Sequence, residues 1–207
     1  HPHPPKHSFP TRRSSDLTAR ELGLTVSFDG NFRSTLWTWE EARDFCTQCL
    51  PYVDVLLGIE PYHLWRDEED HSKGDVKDGI PFQPSYEQQD EIFQAFIDRY
   101  PNLKCIARHV RYAHSGSENS LKAFMWYEGH TFESKLFTFT ILDRVGGGDA
   151  FASGLIYAIM HHYKPMDMIN FAVASSAIKH TIRGDANITD DVDTIRNLMN
   201  MNYDIKR

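Results

Sequence analysis

Three consecutive glycines at residues 146–148 stand directly before Asp149 and a segment with apolar helical periodicity. Glycine allows a tight turn and lets the backbone come close to a ligand. Phe151, Leu155 and Ile159 recur at intervals of four, which predicts a helix that begins near Asp149 and buries a broad face. The free N–H groups at the start of a helix favour a bound phosphate, so the sequence predicts an anion site here.

Asp149 has two interpretations from its spacing alone. It is either an ordinary N-cap after a glycine turn, a position that Asp fills well, or a carboxylate with a chemical role beside a bound anion. The residues by themselves leave both interpretations open.

Strand patterns alternate with helical patterns along most of the chain, which predicts an α/β protein with a mostly parallel sheet covered on both faces. In such folds ligands bind at the carboxyl ends of the strands. Strands are predicted at residues 24–28, 53–57, 105–110, 123–127 and 136–141. Helices are predicted at residues 39–50, 85–100, 149–162, 167–182 and 192–201. Residues 1–17 lack any periodicity and are expected to be a non-native or disordered leader, which leaves residues 18–207 as one domain.

The composition argues against several classes of partner. The formal net charge is −7, so no basic surface for nucleic acid or an anionic membrane is predicted. No apolar run approaches the roughly 20 residues needed to cross a bilayer, and no hydrophobic signal segment opens the chain. The 3 cysteines, an odd number, indicate a reducing compartment rather than a disulfide framework. We therefore expect a cytoplasmic protein whose partners are small molecules.

The glycine stretch reads Asp-Arg-Val-Gly-Gly-Gly-Asp at residues 143–149. It resembles the second signature of the ribokinase-like carbohydrate kinases, in the form found in 2-keto-3-deoxygluconate kinases. The resemblance implies that Asp149 is the catalytic base. It also implies that the backbone amides of Gly146, Gly147 and Gly148 form the anion hole for the transferred phosphoryl group.

A second run, Asp-Gly-Asn-Phe-Arg at residues 29–33 followed by Leu36 and Trp37, is similar to the substrate motif of the same kinases. From the residues alone, Arg33 would be a surface arginine paired with Glu40 or Glu41. The resemblance implies instead that Arg33 holds the carboxylate of a sugar acid, since a guanidinium can grip a carboxylate with two parallel bonds. It also implies that Asn31 lines the path of phosphoryl transfer.

Two further stretches complete the resemblance. Residues 176–187 form a helix end rich in basic residues, followed by Gly184, and resemble the part of these kinases that flanks the adenine of ATP. This implies a nucleotide site with the residues Asp143, Val173, Ala177 and Gly184. At residues 54–62, Ile59 and Tyr62 depart from the usual Asn-x-x-Glu pattern, while Glu60 is kept. Glu60 either holds magnesium through water or begins a short helix.

Taken together, the resemblance implies a ribokinase-like three-layer α/β/α fold that lacks its N-terminal part and β lid. It implies ATP and magnesium as cofactors, and phosphorylation of 2-keto-3-deoxygluconate to its 6-phosphate. A homo-oligomer is left open for the full-length protein. The alternatives are another sugar kinase such as a fructokinase, or a non-catalytic, truncated nucleotide-binding fragment. A nicotinamide-dependent oxidoreductase is disfavoured because no Gly-x-Gly-x-x-Gly follows the first predicted strand.

Overall fold

The computed structural model describes residues 18–33, 35–36, 38–59, 76–77, 80–81, 83–188 and 191–201. The predicted leader at residues 1–17 and the candidate magnesium residue Glu60 lie outside these ranges. The chain divides into two compact units, His1–Ala107 and Arg108–Arg207.

The first unit is built on short parallel strands. Its elements in chain order are β1 Ser27–Asp29, α1 Trp39–Cys49, a 3₁₀ turn at Leu50–Tyr52, β2 Val55–Leu57, β3 Val76–Lys77, β4 Ile80–Pro81, α2 Tyr86–Arg99 and the start of β5 Cys105–Ala113. Strand β2 pairs in parallel with β1 on one side and with the first residues of β5 on the other. Parallel neighbours need a crossover, and α1 and α2 lie in those connections. Strands β3 and β4 form a separate antiparallel pair.

The two crossover helices, α1 and α2, begin close to the predicted residues. Each begins with a capping box. The side chain of Thr38 accepts a hydrogen bond from the Glu41 N–H, and the Glu41 carboxylate accepts one from the Thr38 N–H. Ser85 and Gln88 repeat the arrangement at the start of α2. Three apolar side chains of α2 are fully buried, those of Ile92, Phe93 and Phe96, whereas Ile97 is half-buried.

Asp54 forms bonds at the starts of the three parallel strands β1, β2 and β5. Its carboxylate accepts a hydrogen bond of 2.9 Å from the Val26 N–H and pairs with the Lys104 ammonium at 2.8 Å. Its own carbonyl accepts from the Lys104 and Cys105 N–H groups. Burial alone would raise the pKa of the Asp54 carboxyl, but the bonds from Lys104 and Val26 together lower it below its ordinary value. The ionised carboxylate therefore stabilises this part of the sheet.

Replacing Asp54 should destabilise the first unit. Asp54→Ala leaves the Val26 N–H without its acceptor, and we expect a loss of about 1–3 kcal/mol in the free energy of unfolding. Lys104→Ala is the matched control and should cost only about 0.2–1 kcal/mol, since its side chain is 69% exposed. Urea unfolding of both variants measures the difference. Equal losses would place the effect in the surface ion pair rather than in the bond to Val26.

The second unit contains antiparallel strands and a helical layer. Its elements are the rest of β5, then β6 Glu118–Tyr127, β7 His130–Glu133, β8 Phe137–Thr140, α3 Gly147–Met160, α4 Pro165–Lys179 and α5 Val192–Met199. Strand β6 lies beside β5 and pairs antiparallel with both β7 and β8. Strand β7 was not predicted. It is joined to β6 by Glu128 and Gly129, which both have positive φ, at 48° and 85°.

Helices α3 and α4 pack closely in the second unit. A Cβ added at Gly154 would lie 3.0 Å from the Ser175 Cβ and 3.1 Å from the Ala172 Cα, so a larger residue would force the helices apart. Helix α4 is buried along most of its length, which accounts for its run of small and apolar residues. Within the described ranges, no helix is both long enough and apolar enough to cross a membrane.

Candidate functional site

The glycine loop, residues 146–148, forms the start of α3. Gly146 is the N-cap and has a left-handed backbone, with φ of 78°, which glycine adopts without strain. The helix begins at Gly147, so Asp149 is its third residue and its side chain is exposed. The interpretation of Asp149 as an N-cap is therefore wrong, because Gly146 takes that place.

The first turn of α3 leaves two backbone donors open. The Gly147 N–H donates to the Arg144 carbonyl at 3.4 Å, and the Ala150 N–H donates to the Gly146 carbonyl at 2.9 Å. Between them, the N–H groups of Gly148 and Asp149 have no acceptor in the part of the chain that the structure describes. A Cβ added at Gly148 would meet nothing within 4 Å, so there is open space beside this residue. This is the geometry of an anion site at a helix N-terminus.

The glycine loop is held against the end of α4. The Ser176 hydroxyl donates to the Gly147 carbonyl at 2.8 Å, and the His180 carbonyl accepts from the N–H groups of Leu142 and Asp143. The His180 ring lies so close to Gly147 that an added Cβ would be 2.3 Å from its Cε1 atom. Residue 147 must therefore be glycine for the loop to pack in this way.

His180 is buried, and its ring nitrogen Nδ1 lies 2.7 Å from the Ser176 carbonyl oxygen. Burial lowers the pKa of His180. The hydrogen bond to Ser176 opposes that effect, and the positive charges of Arg111, Lys179 and Arg144 reinforce it. The imidazole is accordingly neutral at neutral pH. A carbonyl only accepts hydrogen bonds, so Nδ1 carries the proton and donates it to the Ser176 carbonyl. The other ring nitrogen, Nε2, is therefore unprotonated.

Two arginines give the region around His180 a positive potential. Burial lowers the pKa of Arg111, and the like charge of Arg144 lowers it further. In the described ranges neither guanidinium forms a salt bridge with a carboxylate. Positive charge near the start of a helix favours an anion such as a phosphate. Neither arginine was predicted as a site residue, although Arg144 lies within the signature itself.

The predicted nucleotide residues Asp143 and Gly184 are in direct contact. The Asp143 carboxylate accepts from the Val145 N–H at 3.0 Å and from the Gly184 N–H at 2.9 Å. These backbone bonds lower the pKa of Asp143 and keep it ionised. A Cβ added at Gly146 would lie 2.3 Å from the Asp185 carbonyl oxygen, so the turn at residues 181–185 lies directly against the glycine loop.

The other predicted residues occupy different places. Val173 and Ala177 are buried in α4. Asn31 and Arg33 belong to the first unit and are exposed. Asn31 has a positive φ of 36°, and its N–H donates to the Asp29 carboxylate at 2.9 Å. The functional roles of these residues stay predictions. Within the described ranges, no group of three His, Cys, Asp or Glu residues is placed to hold a metal ion.

Comparisons with known proteins point to one kind of enzyme. The chain is 27% identical over 175 residues to a 2-dehydro-3-deoxygalactonokinase of Haloferax volcanii, covering 84% of this chain and 47% of that protein. A solved 2-dehydro-3-deoxygluconokinase of Thermotoga maritima matches with a TM-score of 0.78 at 31% identity, over 94% of this chain and 56% of that one. A PfkB-family carbohydrate kinase of Listeria grayi matches with a TM-score of 0.76 at 30% identity, over 93% and 55%.

The resemblance to the ribokinase-like carbohydrate kinases is confirmed. The same structures confirm the predicted ribokinase-like α/β fold class. The sheet, predicted to be mostly parallel, is mixed: β1, β2 and the start of β5 are parallel, and β6 pairs antiparallel with β7 and β8. No protein-family model matches the sequence. The chain spans about half the length of the curated relatives it matches, 47% for the one from Haloferax volcanii and 41% for a 5-dehydro-2-deoxygluconokinase of Clostridium tetani.

The glycines of the loop should respond differently to substitution. Gly147→Ala places a methyl group against the His180 ring, and overpacking of this kind costs about 1–3 kcal/mol of stability. Gly148→Ala is the matched control, and it should leave stability unchanged or slightly raised because nothing lies within 4 Å of its Cβ. Thermal melts of the two variants test the difference. Equal stability would mean that the His180 ring does not hold the loop.

Proposed function

We propose that the protein transfers the γ-phosphoryl group of ATP to the terminal hydroxyl of a 2-keto-3-deoxy sugar acid, with 2-keto-3-deoxygluconate as the first candidate. One observation carries this proposal. The exposed carboxylate of Asp149 lies in the same helical turn as the open N–H groups of Gly148 and Asp149. A base and an anion site thus occur together, which is what phosphoryl transfer to a hydroxyl requires.

In this mechanism Asp149 takes the proton of the sugar hydroxyl as the hydroxyl oxygen attacks the γ-phosphorus. The bond from that phosphorus to the bridging oxygen then breaks, and ADP leaves. The open amides at the start of α3 stabilise the charge on the phosphoryl oxygens, and Arg111 and Arg144 add positive potential. Magnesium would supply further charge neutralisation. Its proposed residue Glu60 lies outside the described ranges, so the charge stabilisation proposed here comes from the amides and arginines.

The substrate class rests on two supports. The relatives are named as kinases of deoxy keto sugar acids, although their sugars differ: deoxygalactonate in one case and deoxygluconate in others. Arg33, in the first unit, matches the position that holds the substrate carboxylate in the resembling motif. Its side chain is exposed, so it is accessible to a ligand. We therefore assign the recognition of the acid group to Arg33.

Replacing Asp149 tests the chemistry. In the full-length protein, Asp149→Asn should lower kcat about 10²- to 10⁴-fold, which is the usual cost of losing a general base. Binding of ATP should be nearly unchanged because the backbone donors remain. Steady-state rates with 2-keto-3-deoxygluconate and a nucleotide titration measure the two effects. Near-normal turnover would remove Asp149 from the role of base.

Replacing Arg33 tests the substrate class. Arg33→Ala should weaken the binding of 2-keto-3-deoxygluconate by about 1.5–3 kcal/mol, the range for a hydrogen bond to a charged group. Fructose, a neutral ketose, serves as the control ligand, and its binding should hardly change. Titration calorimetry of both sugars gives the comparison. An equal loss for both would make Arg33 a structural residue, and a preference of the unsubstituted protein for fructose would favour a fructokinase.

A further inference from the structure

Lys179 is the last residue of α4, and its side chain is completely buried. Its ammonium donates to the Gly184 carbonyl at 2.7 Å and to the Ile182 carbonyl at 3.1 Å. A buried ammonium is costly unless its donors are bonded, and here two of its three N–H donors bond to backbone carbonyls. The carbonyls at the end of α4 also favour a positive charge at this place. Nothing in the proposed reaction uses this lysine.

The ammonium holds one side of a peptide segment whose other side is held by Asp143. At Gly184, the N–H donates to the Asp143 carboxylate at 2.9 Å, while the carbonyl accepts from Lys179. The two side chains also attract one another. The bonds from Val145 and Gly184 are the main causes of the lowered pKa of Asp143, and the charge of Lys179 adds to them. Gly184, with φ of 83°, is thus fixed through both of its backbone polar groups.

The segment held in this way forms one wall of the glycine loop. A Cβ added at Gly146 would lie 2.3 Å from the Asp185 carbonyl oxygen and 3.2 Å from the Cε atom of Lys179 itself. Gly146 is the N-cap of α3, so its position sets the direction of the open N–H groups that follow. A displacement at Gly184 would therefore pass directly to the N-cap of that helix.

We propose that Lys179 is a positioning residue whose ammonium serves as a built-in cation and fixes residues 182–185 against the glycine loop. Its role depends on charge and on N–H donors, because its partners are carbonyl oxygens and a nearby carboxylate. Phosphate binding at the positioned site rests on the proposed function. The fixing of residues 182–185 by Lys179 does not, so phosphate binding and the role of Lys179 can be tested separately.

The test compares backbone hydrogen exchange in the 207-residue chain and its variants. In Lys179→Met, which keeps the apolar stem and removes the ammonium, the Gly184 N–H should exchange at least about 10-fold faster, since its protection reports local opening. Lys135→Met is the matched control. Lys135 also donates to a backbone carbonyl, that of Met199 at 3.1 Å, and its loss should leave Gly184 unchanged. Unaltered Gly184 exchange in Lys179→Met would overturn the proposal.

Chemical rescue separates charge and donors from packing. In Lys179→Ala, ethylammonium chloride should restore the protection of Gly184. Tetramethylammonium chloride at the same concentration should not, because it has charge but no N–H donor. Equal effects of the two salts would contradict a hydrogen-bonded cation.

A measurement on the unsubstituted chain covers the case in which the variants fail to fold. The Lys179 ammonium should give a slowly exchanging NMR signal with a scalar coupling to the Gly184 carbonyl carbon. If that coupling is absent, the proposal is overturned.

Titration of the unsubstituted chain with inorganic phosphate tests the proposed function apart from the role of Lys179. Shifts of the Gly148 and Asp149 amide signals are expected. If phosphate produces none while Gly184 exchange still depends on Lys179, the anion site fails and the positioning role of the lysine stands.

Discussion

The contact between Gly147 and the His180 ring is the constraint on which the candidate site depends. It brings the glycine loop onto the end of α4, and no residue with a Cβ fits between them. The Ser176 hydroxyl donates to the Gly147 carbonyl, and the carbonyl that follows α4, that of His180, accepts from the N–H groups of Leu142 and Asp143. The start of α3 is therefore placed by α4, a helix that is buried along most of its length.

Several polar side chains around this contact bond to the protein backbone. Asp143 bonds to two backbone N–H groups, Lys179 bonds to two carbonyls, and His180 bonds to one. These bonds favour one arrangement, since a displacement would break them and leave a donor or an acceptor unmet. By contrast, the N–H groups of Gly148 and Asp149 have no acceptor in the described ranges. Because the groups around these two open donors are held in place, an anion would bind there without rearrangement of the protein.

The proposed reaction draws on both units of the chain. The proposed base and the candidate anion site lie in the second unit, while Arg33 lies in the first. This chain spans about half the length of the curated relatives it matches. Their activity is therefore only proposed for it, and experiments on the full-length protein test that proposal. The charge-based role of Lys179 differs in this respect, because every atom involved lies within the second unit and is described.

By itself, the sequence determined the types of most elements and the place of the candidate anion site. Local patterns suffice for these: capping residues start α1 and α2, and glycines before an apolar period start α3. The boundaries were less accurate. The first strand begins at Ser27 rather than at residue 24, because the Val26 N–H bonds to the Asp54 carboxylate instead of to a strand. The predicted strands also lacked β7, whose turn uses Glu128, a residue that is uncommon at positive φ.

Only the tertiary structure decided what surrounds the candidate anion site. Sequence periodicity extended α4 to residue 182, whereas it ends at Lys179, whose ammonium binds the carbonyls that follow. Arg111 comes close to Arg144, and His180 packs against Gly147, although each pair is separated by about 30 residues along the chain. Local patterns predict which segments become helices and strands, because those depend on near neighbours in the chain. They cannot predict which distant side chains meet, since that depends on how the finished elements pack.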